Sequence, residues 1–507
     1  MPKRIFSRLF LALVMLLFLG AAVARATPAA QTEVIYTVKL GDYLSMLAKK
    51  YLGSGSAWPA IMAATNQKNS EDPTFAKITN PDLIHPGWKL LIPSVEAARA
   101  FLATYDPNNP VWLFETPPTG QLVVGSWWTA SGEAEGLAAL FRVYKQQYPG
   151  IRIVNAAIAG GAGSVFKGLL KTRLMGGDPP DTFQLHAGLE VQSYSPEQYL
   201  QPLDDLYATQ GLDKVLPRDL LALLRYNGHY WGVPVDIHRS NVLWYNKALF
   251  TNAGVTPPTT FDEFFTACDA LKAKGIQPLV MGSREGWEAA HVFEGLLAST
   301  LGAEKYRGLW TGATAWSDAG VTRALEHLKR IVSYANANHS DLDWARAAQL
   351  IVDGKGAMFI MGDWADGYFT AKAFKGYGWK PAPGSRGIFV ALSDSFALTA
   401  KAPNPESARN WLAVCSSKEG QEALNPQKGS ICARTDCNAA LFNAYLQSAM
   451  KDWAADAIVP SLAHGAAAPE SWATDIRNVI NVFIASGDVG AAQSALKAAC
   501  VAAGICK

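Results

Sequence analysis

From Gln121 to the C-terminus, short apolar runs alternate with amphipathic stretches long enough to be helices: QLVVGSWW, GLAALFRVYKQQYP, IRIVNAAIAG, VFKGLLKTRLMG, DTFQLH. A chain that alternates strand and helix in this way crosses back over one face of its sheet each time, so the pattern predicts an α/β fold with mainly parallel strands. In such sheets ligands sit at the carboxyl ends of strands. Two stretches fall there. In GSWWTASGEAEG, neighbouring side chains of an extended segment point to opposite sides, so Trp127 and Trp128 cannot both enter one core and one is expected on show. Ser131, Gly132 and Glu133 are expected to open the first helix. An indole face suits the C–H face of a sugar ring, and the Glu133 carboxylate can accept paired hydroxyl hydrogen bonds. Packing of both indoles against the first helix is the alternative. In DPPDTFQLHAG, Gln184 and His186 alternate with Phe183 and Leu185, so both polar side chains face the same way.

The first 26 residues, MPKRIFSRLFLALVMLLFLGAAVARA, have a basic start, an apolar stretch and a small-x-small ending, the layout of a cleaved secretory signal. The mature chain is expected to begin near Thr27, with no cysteine nearby for a lipid anchor. Removing Lys3, Arg4, Arg8 and Arg25 leaves 41 basic against 43 acidic residues. That balance predicts no nucleic-acid or anionic-membrane partner. No later apolar run is long enough to span a bilayer. Cys268, Cys415, Cys432, Cys437, Cys500 and Cys506 all lie in the second half. In an oxidising compartment some are expected to be bridged, and their spacings do not suit zinc. Cys268 and Cys415, inside helical patterns, are candidates for buried thiols.

Residues 36–94 read as a β-α-α-β block: YTVKLGDYLSMLAKKYLGSGSAWPAIMAATN, a polar insert from Gln67 to Thr79, then LIHPGWKLLIP. Leu44, Leu47, Ala48 and Tyr51 share one face of its first helix. The block resembles a LysM module, in its YTVKxGD start, in Asn66 ending the second helix and in its PGxxLxIP close. The resemblance implies binding of peptidoglycan or other N-acetylglucosamine chains; a spacer that has lost glycan binding is the alternative. Residues 95–120, with TYDPNNPVWLFETPPTG, read as a linker after a short helix.

From about Gln121 to Lys507 the chain resembles the extracellular solute-binding proteins of ABC transporters, sugar class, most closely the glucose/mannose-binding type. The resemblance rests on SWWTASGEAEGL, on AAIAGGAGSVFKGLL with GGDPPDTFQLHAG, and on NGHYWGVPVDIHRSNVLWYNKALFTNAG with PPTTFDEFF. MGDWADG, VALSDSFALTA, KGSICARTD and PSLAHGAA complete it in the same order. It implies a two-lobed periplasmic-binding-protein fold, type II and hinge-linked, behind the small LysM domain. Lobe 1 would hold about 121–234 and 388–428, lobe 2 about 237–385 and 430–507, with GVPVDIH as the first crossover. Pro234 suits a crossing strand rather than a mid-sheet one.

Carried over position by position, the resemblance places Trp127, Trp128, Glu133, Gln184, His186, Asp394, Lys428 and His464 around a monosaccharide, a glucose-like hexose. Lys428, followed by Gly and Ser, is expected in a turn with its ammonium available as a donor. Trp244, Trp287, Asp363 and Trp364 are further candidates, suited equally to core or hinge packing. The resemblance implies an ABC permease as partner and no cofactor, metal or catalytic residue. The chain departs from the family in carrying Cys432 where relatives have proline, which leaves the pairing of Cys432 with Cys437 open. Two alternatives stand beside the transport receptor: a glycoside hydrolase, which needs two carboxylates held around a scissile bond, and a receptor for wall-derived amino sugars.

Overall fold

The computed structural model describes residues 33–39, 42–81, 84–102, 105, 120–160 and 163–507. The expected signal peptide and residues 106–119 of the expected linker lie outside the described residues. The chain divides into two units, 1–117 and 118–507.

In the first unit, β1 (Val34–Thr37), α1 (Leu44–Leu52), α2 (Trp58–Glu71), β2 (Lys89–Ile92) and α3 (Val95–Leu102) follow one another. β1 and β2 pair antiparallel, Val34 opposite Ile92 and Thr37 opposite Lys89. The face predicted for α1 is the one that packs: Leu44, Leu47 and Ala48 are buried against Ile61, Ile78, Leu90 and Ile92. The polar insert is not a loose loop. α2 runs into it as far as Glu71, and Asn66 clamps it with both amide atoms, Nδ2 donating to the Ile78 carbonyl at 2.8 Å and Oδ1 accepting from the Ile78 amide at 2.7 Å.

The second unit opens with β3 (Gly120–Ser126), α4 (Glu133–Gln147), β4 (Ile151–Ala157), α5 (Ser164–Gly176) and β5 (Thr182–His186). β6 (Val233–Pro234), β7 (His238–Arg239) and β8 (Val242–Asn246) come next, then β9 (Leu279–Val280), α6 (Trp287–Thr311), β10 (Met358–Ile360), α7 (Trp364–Ala371) and β11 (Tyr377–Pro381). β12 (Ile388–Leu392), β13 (Asp394–Leu398), α8 (Lys418–Lys428) and β14 (Ala457–Pro460) complete the frame. One five-stranded sheet has the order β4-β3-β5-β13-β6. A four-stranded sheet, β9-β10-β8-β11, and a three-stranded one, β14-β12-β7, belong to the other lobe. β3 is parallel to β4 and β5, as the alternating pattern predicts, and β13 returns antiparallel to β5. Leu122, Val124, Phe183 and Leu185 are buried on this sheet, each contributing about 1.5–3 kcal/mol.

The lobes are joined where strands change sheet. β6 is the edge strand of the first sheet, the position a proline tolerates, and β7 pairs with β12 in the second lobe. The chain therefore crosses at Val235–Ile237. The return crossing falls at Ser393, between β12 and β13, because β12 pairs with β14 and β7 whereas β13 pairs with β5 and β6. The returning piece of lobe 1 thus begins near Asp394, not at 388 as the sequence reading placed it; the apolar run IFVAL is β12 itself, and it pairs within the second lobe. Cys432 is bonded to Cys437 and Cys500 to Cys506, while Cys268 and Cys415 are buried thiols. Burial pushes the Cys268 thiol up to about 12, which leaves it unreactive.

Candidate functional site

Between the lobes, at the carboxyl ends of β3 and β5 on one side and of β9, β10 and β14 on the other, lies a cavity of about 170 Å³. That is an order of magnitude more than the roughly 10–15 Å³ that one water needs. Its wall includes Trp127, Glu133, His186, Asp394 and Lys428 from the first lobe's side, His238 at the crossing, and Trp287, Trp344, Trp364 and His464 from the second.

Trp127 leaves β3 and lies against Gly163, whose φ of 87° and whose missing Cβ make room for it: a Cβ there would stand 2.6 Å from the indole. Its ring centroid is 4.9 Å from that of His186, and the Lys167 ammonium sits 5.1 Å from its face. Across the cavity Trp364, which opens α7, packs against Trp287 at 6.0 Å, Trp344 at 6.5 Å and His464 at 5.1 Å between ring centroids. Four indoles thus frame the space, with polar groups between them.

The polar groups are strongly coupled. Lys428 Nζ lies 3.1 Å from Asp394 Oδ2 and 3.6 Å from Asp236 Oδ2, and also contacts His238 Nε2. His238 Nδ1 pairs with Asp363, whose other oxygen accepts the Arg239 amide at 2.8 Å. Burial alone would raise the Asp394 pKa, but Lys428, His186 and His238 hold its carboxyl below the usual range. Burial and then Asp394 raise Asp236 instead. For His238, burial and Lys428 oppose charging, and Asp363 and Asp236 outweigh them, bringing its pKa up to about 9. His186 Nδ1 is 2.7 Å from Glu190, which also accepts from Lys167 at 2.7 Å; burial would raise Glu190, and the Lys167 ammonium with the hydrogen-bonded His186 ring brings it down to about 2. Glu133, the first residue of α4, is half-buried on the wall and has no hydrogen-bond partner for its carboxyl among the described residues. Burial raises its pKa to about 7 against the pull of Lys428.

Eight of the twelve residues singled out in the sequence, Trp127, Glu133, His186, Trp287, Trp364, Asp394, Lys428 and His464, lie on this wall. The other four do not. Trp128 is buried as well as Trp127: it packs edge-on to Phe396 and beneath the Lys428 ammonium, at 4.7 Å. The expectation that one of the pair would be on show is corrected, since one indole closes a cavity and the other fills a core. Gln184 is held within the protein, its Oε1 accepting from Ser126 Oγ and the Trp127 amide and its Nε2 donating to Asp394 at 2.8 Å. Trp244 is core, its Nε1 donating to the Met361 carbonyl. Asp363 is spent on His238 and Arg239. Lys428 is not in a turn with a solvated ammonium: it is the last residue of α8, and its Nζ is buried among carboxylates.

Sequence reasoning missed Asp236, His238, Arg284, Glu285, Asp343 and Trp344. Asp236 and His238 had a usable signal, because two polar side chains at i and i+2 in the crossover GVPVDIH face the same side of an extended chain.

The family model described as bacterial extracellular solute-binding protein matches residues 119–422, and the LysM domain model matches 36–93. An uncharacterized ABC transporter extracellular-binding protein of Pyrococcus horikoshii is 36% identical over 387 residues, 75% of this chain and 87% of that one. A probable sugar-binding periplasmic protein of Rhizobium meliloti is 31% identical, covering 70% of this chain and 87% of its own length. Among solved structures, the bacterial solute receptor AcbH, with an exclusive preference for β-D-galactopyranose, has a TM-score of 0.67 at 19% identity, over 75% of this chain and 97% of that one. Its likeness shows the two-lobed fold. With the cleft, the crossing strands and these matches together, the chain belongs to the bacterial extracellular solute-binding protein family, with a LysM domain before it.

Proposed function

We propose that this protein is the exported sugar receptor of an ABC importer, that its cleft takes a glucose-like monosaccharide, and that its LysM domain tethers it to peptidoglycan. The observation that carries the reading is the cavity between the lobes, framed by four indoles with Glu133, His186, Asp394 and His464 between them. Flat apolar faces and acceptors set around a small space match a ring that is apolar on its faces and hydroxylated at its rim. The sugar-binding name of the Rhizobium meliloti relative supports the substrate class, and its periplasmic name supports export. The size of the cavity favours one ring over a chain of several. The receptor binds without turnover, and the membrane permease recognises its closed form.

Isothermal titration with glucose, galactose, mannose, N-acetylglucosamine and short glucans tests the cleft. Tight one-to-one binding of a hexose and no release of reducing ends from any glycoside are expected. Cleavage at an enzymatic rate, lost in Glu133→Gln, refutes the receptor reading in favour of a hydrolase, and selective binding of N-acetylglucosamine would move the substrate to wall-derived amino sugars. For the tether, the full chain should sediment with purified peptidoglycan while a chain lacking residues 36–94 stays in the supernatant. Equal behaviour of the two removes that part of the proposal.

A further inference from the structure

Behind the second-lobe wall of the cavity, two serines join one carboxylate to two imidazoles. Glu294, buried on α6, accepts from the Ala463 amide at 2.8 Å, and its two oxygens lie 3.0 and 2.9 Å from Ser461 Oγ. Ser240 Oγ reaches the same carboxylate. Each hydroxyl also meets a ring nitrogen, Ser461 Oγ lying 2.9 Å from His464 Nδ1 and Ser240 Oγ 3.1 Å from His291 Nδ1.

The proton count on this network has one solution when Glu294 is ionised. A carboxylate only accepts, and a serine hydroxyl has a single proton to give. Both hydroxyl protons therefore go to Glu294, and each hydroxyl oxygen accepts from its histidine. Nδ1 is then the protonated nitrogen on both rings, and Nε2 is left as a lone pair. Burial keeps the rings neutral: it brings His291 down to about 3 and, with His186 and His291 beside it, holds His464 well below the usual histidine range. Burial also raises Glu294 to about 7 against its hydrogen-bond donors, so the carboxylate form prevails above neutral pH. His464 lies on the cavity wall, and its Nε2 has no hydrogen-bond partner among the described residues.

Resting on the reading of the cleft as a sugar site, we propose that Glu294 is a positioning residue for selectivity: through Ser461 it fixes His464 as the Nδ1–H tautomer, so the cavity offers an acceptor at Nε2 and selects a sugar with a hydroxyl proton to donate there. A sugar that is deoxygenated or O-methylated at that carbon has nothing to donate. An Nε2–H tautomer would reverse this choice. The donor atoms of His291, Glu294 and His464 lie within 4.8 Å of one another, a spacing that an ion could also bridge, so the test includes a metal arm.

The experiment has a ligand-independent half and a ligand-dependent half. Nitrogen-15 spectra of the histidine rings at pH 8, with no sugar added, should show His464 protonated at Nδ1 in the wild type. That population should shift toward Nε2–H in Glu294→Gln and in Ser461→Ala, but not in Ser240→Ala, which touches only the His291 branch. An Nε2–H or doubly protonated His464 in the wild type, or a tautomer indifferent to Ser461, overturns the proposal whatever the sugar does. In the second half, the best-bound hexose of the titration panel is compared with its monodeoxy and O-methyl derivatives. At one ring position the modification should weaken wild-type binding by about tenfold, as for a lost hydrogen bond, and weaken Ser461→Ala binding much less. No position showing that coupling overturns the selectivity role. Sugar affinity lost on dialysis against a chelator and restored by zinc would also overturn it, in favour of a metal centre. If the ring spectra behave as stated but no saccharide binds, the tautomer assignment stands and it is the sugar reading that fails.

Discussion

If a sugar is held by the ionised form of Glu133, its affinity must depend on pH around neutrality. The Glu133 carboxyl is half-buried on the cavity wall, and burial raises its pKa to about 7, with Lys428 pulling the other way. A carboxylate accepts two or more hydroxyl hydrogen bonds, whereas the acid gives up an acceptor site and adds a competing proton. Ligand binding should then favour the ionised form, so affinity is complete above about pH 8, is halved near 7, and is about tenfold lower at pH 6. That tenfold step corresponds to about 1.4 kcal/mol per pH unit below the pKa. Glu133→Gln keeps one carbonyl acceptor but cannot ionise. It should bind about tenfold more weakly at pH 8, the difference between a charged and a neutral acceptor, and show no slope between pH 6 and 8. Titration calorimetry in buffers of different ionisation heat gives affinity and proton count together: the wild type should release close to one proton per sugar at pH 6 and almost none at pH 8. Wild-type affinity that is flat from pH 6 to 8, or that rises toward acid, refutes the reasoning. A slope that survives in Glu133→Gln would assign the titration to another group on the wall.

Three further outcomes follow from the geometry. Trp127→Ala and Trp364→Ala should each cost about 1–2 kcal/mol of sugar affinity by titration, whereas Trp128→Ala and Trp244→Ala, whose indoles are core, should lower the melting temperature far more than the affinity. Glu190 has a folded pKa of about 2 against an ordinary 4.5, so its stabilising contribution is present above about 4.5 and is lost as pH falls through 2. Urea unfolding of Glu190→Gln should show a deficit of about 3 kcal/mol at pH 7 that closes toward pH 2; a deficit independent of pH refutes the ion-pair account. Gly367 on α7 faces the end of α8 so closely that an added Cβ would stand 2.3 Å from the Lys428 carbonyl oxygen. Gly367→Ala should wedge the lobes apart, and X-ray scattering with saturating sugar should then give a larger radius of gyration than the wild type; equal compaction refutes the wedge.

What the sequence disclosed and what it hid differ in the distance over which the deciding contacts act. The strand–helix alternation, the amphipathic face of α1 and the common side of Gln184 and His186 are local properties of the backbone, and all were legible. The fate of Gln184 was not, because the carboxylate that claims its amide is Asp394, 210 residues away. The same limit misplaced Lys428: Gly429 and Ser430 read as a turn, and the local reading was close, since Gly429 ends α8 with φ 84°. What no local rule could supply was the set of acids that surrounds the ammonium. Trp127 and Trp128 were separated correctly by direction but not by exposure, because a cavity wall and a core are both buried. The crossing at Ser393 was invisible because nothing local in IFVAL tells which sheet receives β12; its partners, β14 and β7, lie far away in the chain.

The charged cluster lies on the axis between the lobes, and this bears on how binding could drive closure. Asp236 and His238 come from the first crossing, Asp394 from the residue after the second, and Lys428 from the end of α8, next to Gly429 and the bridge between Ile431 and Ile237. Groups fixed at the crossing keep nearly the same relation to one another whether the lobes are apart or together, so contacts they make with a ligand stabilise both arrangements alike and set affinity without shifting the equilibrium. Only groups that approach the ligand from the far lobe can favour the closed form by differential contact. On this wall those include Trp287, Trp344, Trp364 and His464, with Arg284, Glu285 and Asp343 beside them. The division of labour is therefore topological. Substitutions at Asp394 or Lys428 should weaken binding to open and closed states in parallel, whereas substitutions at Trp364 or His464 should leave a sugar bound to a receptor that stays open and is poorly recognised by its permease.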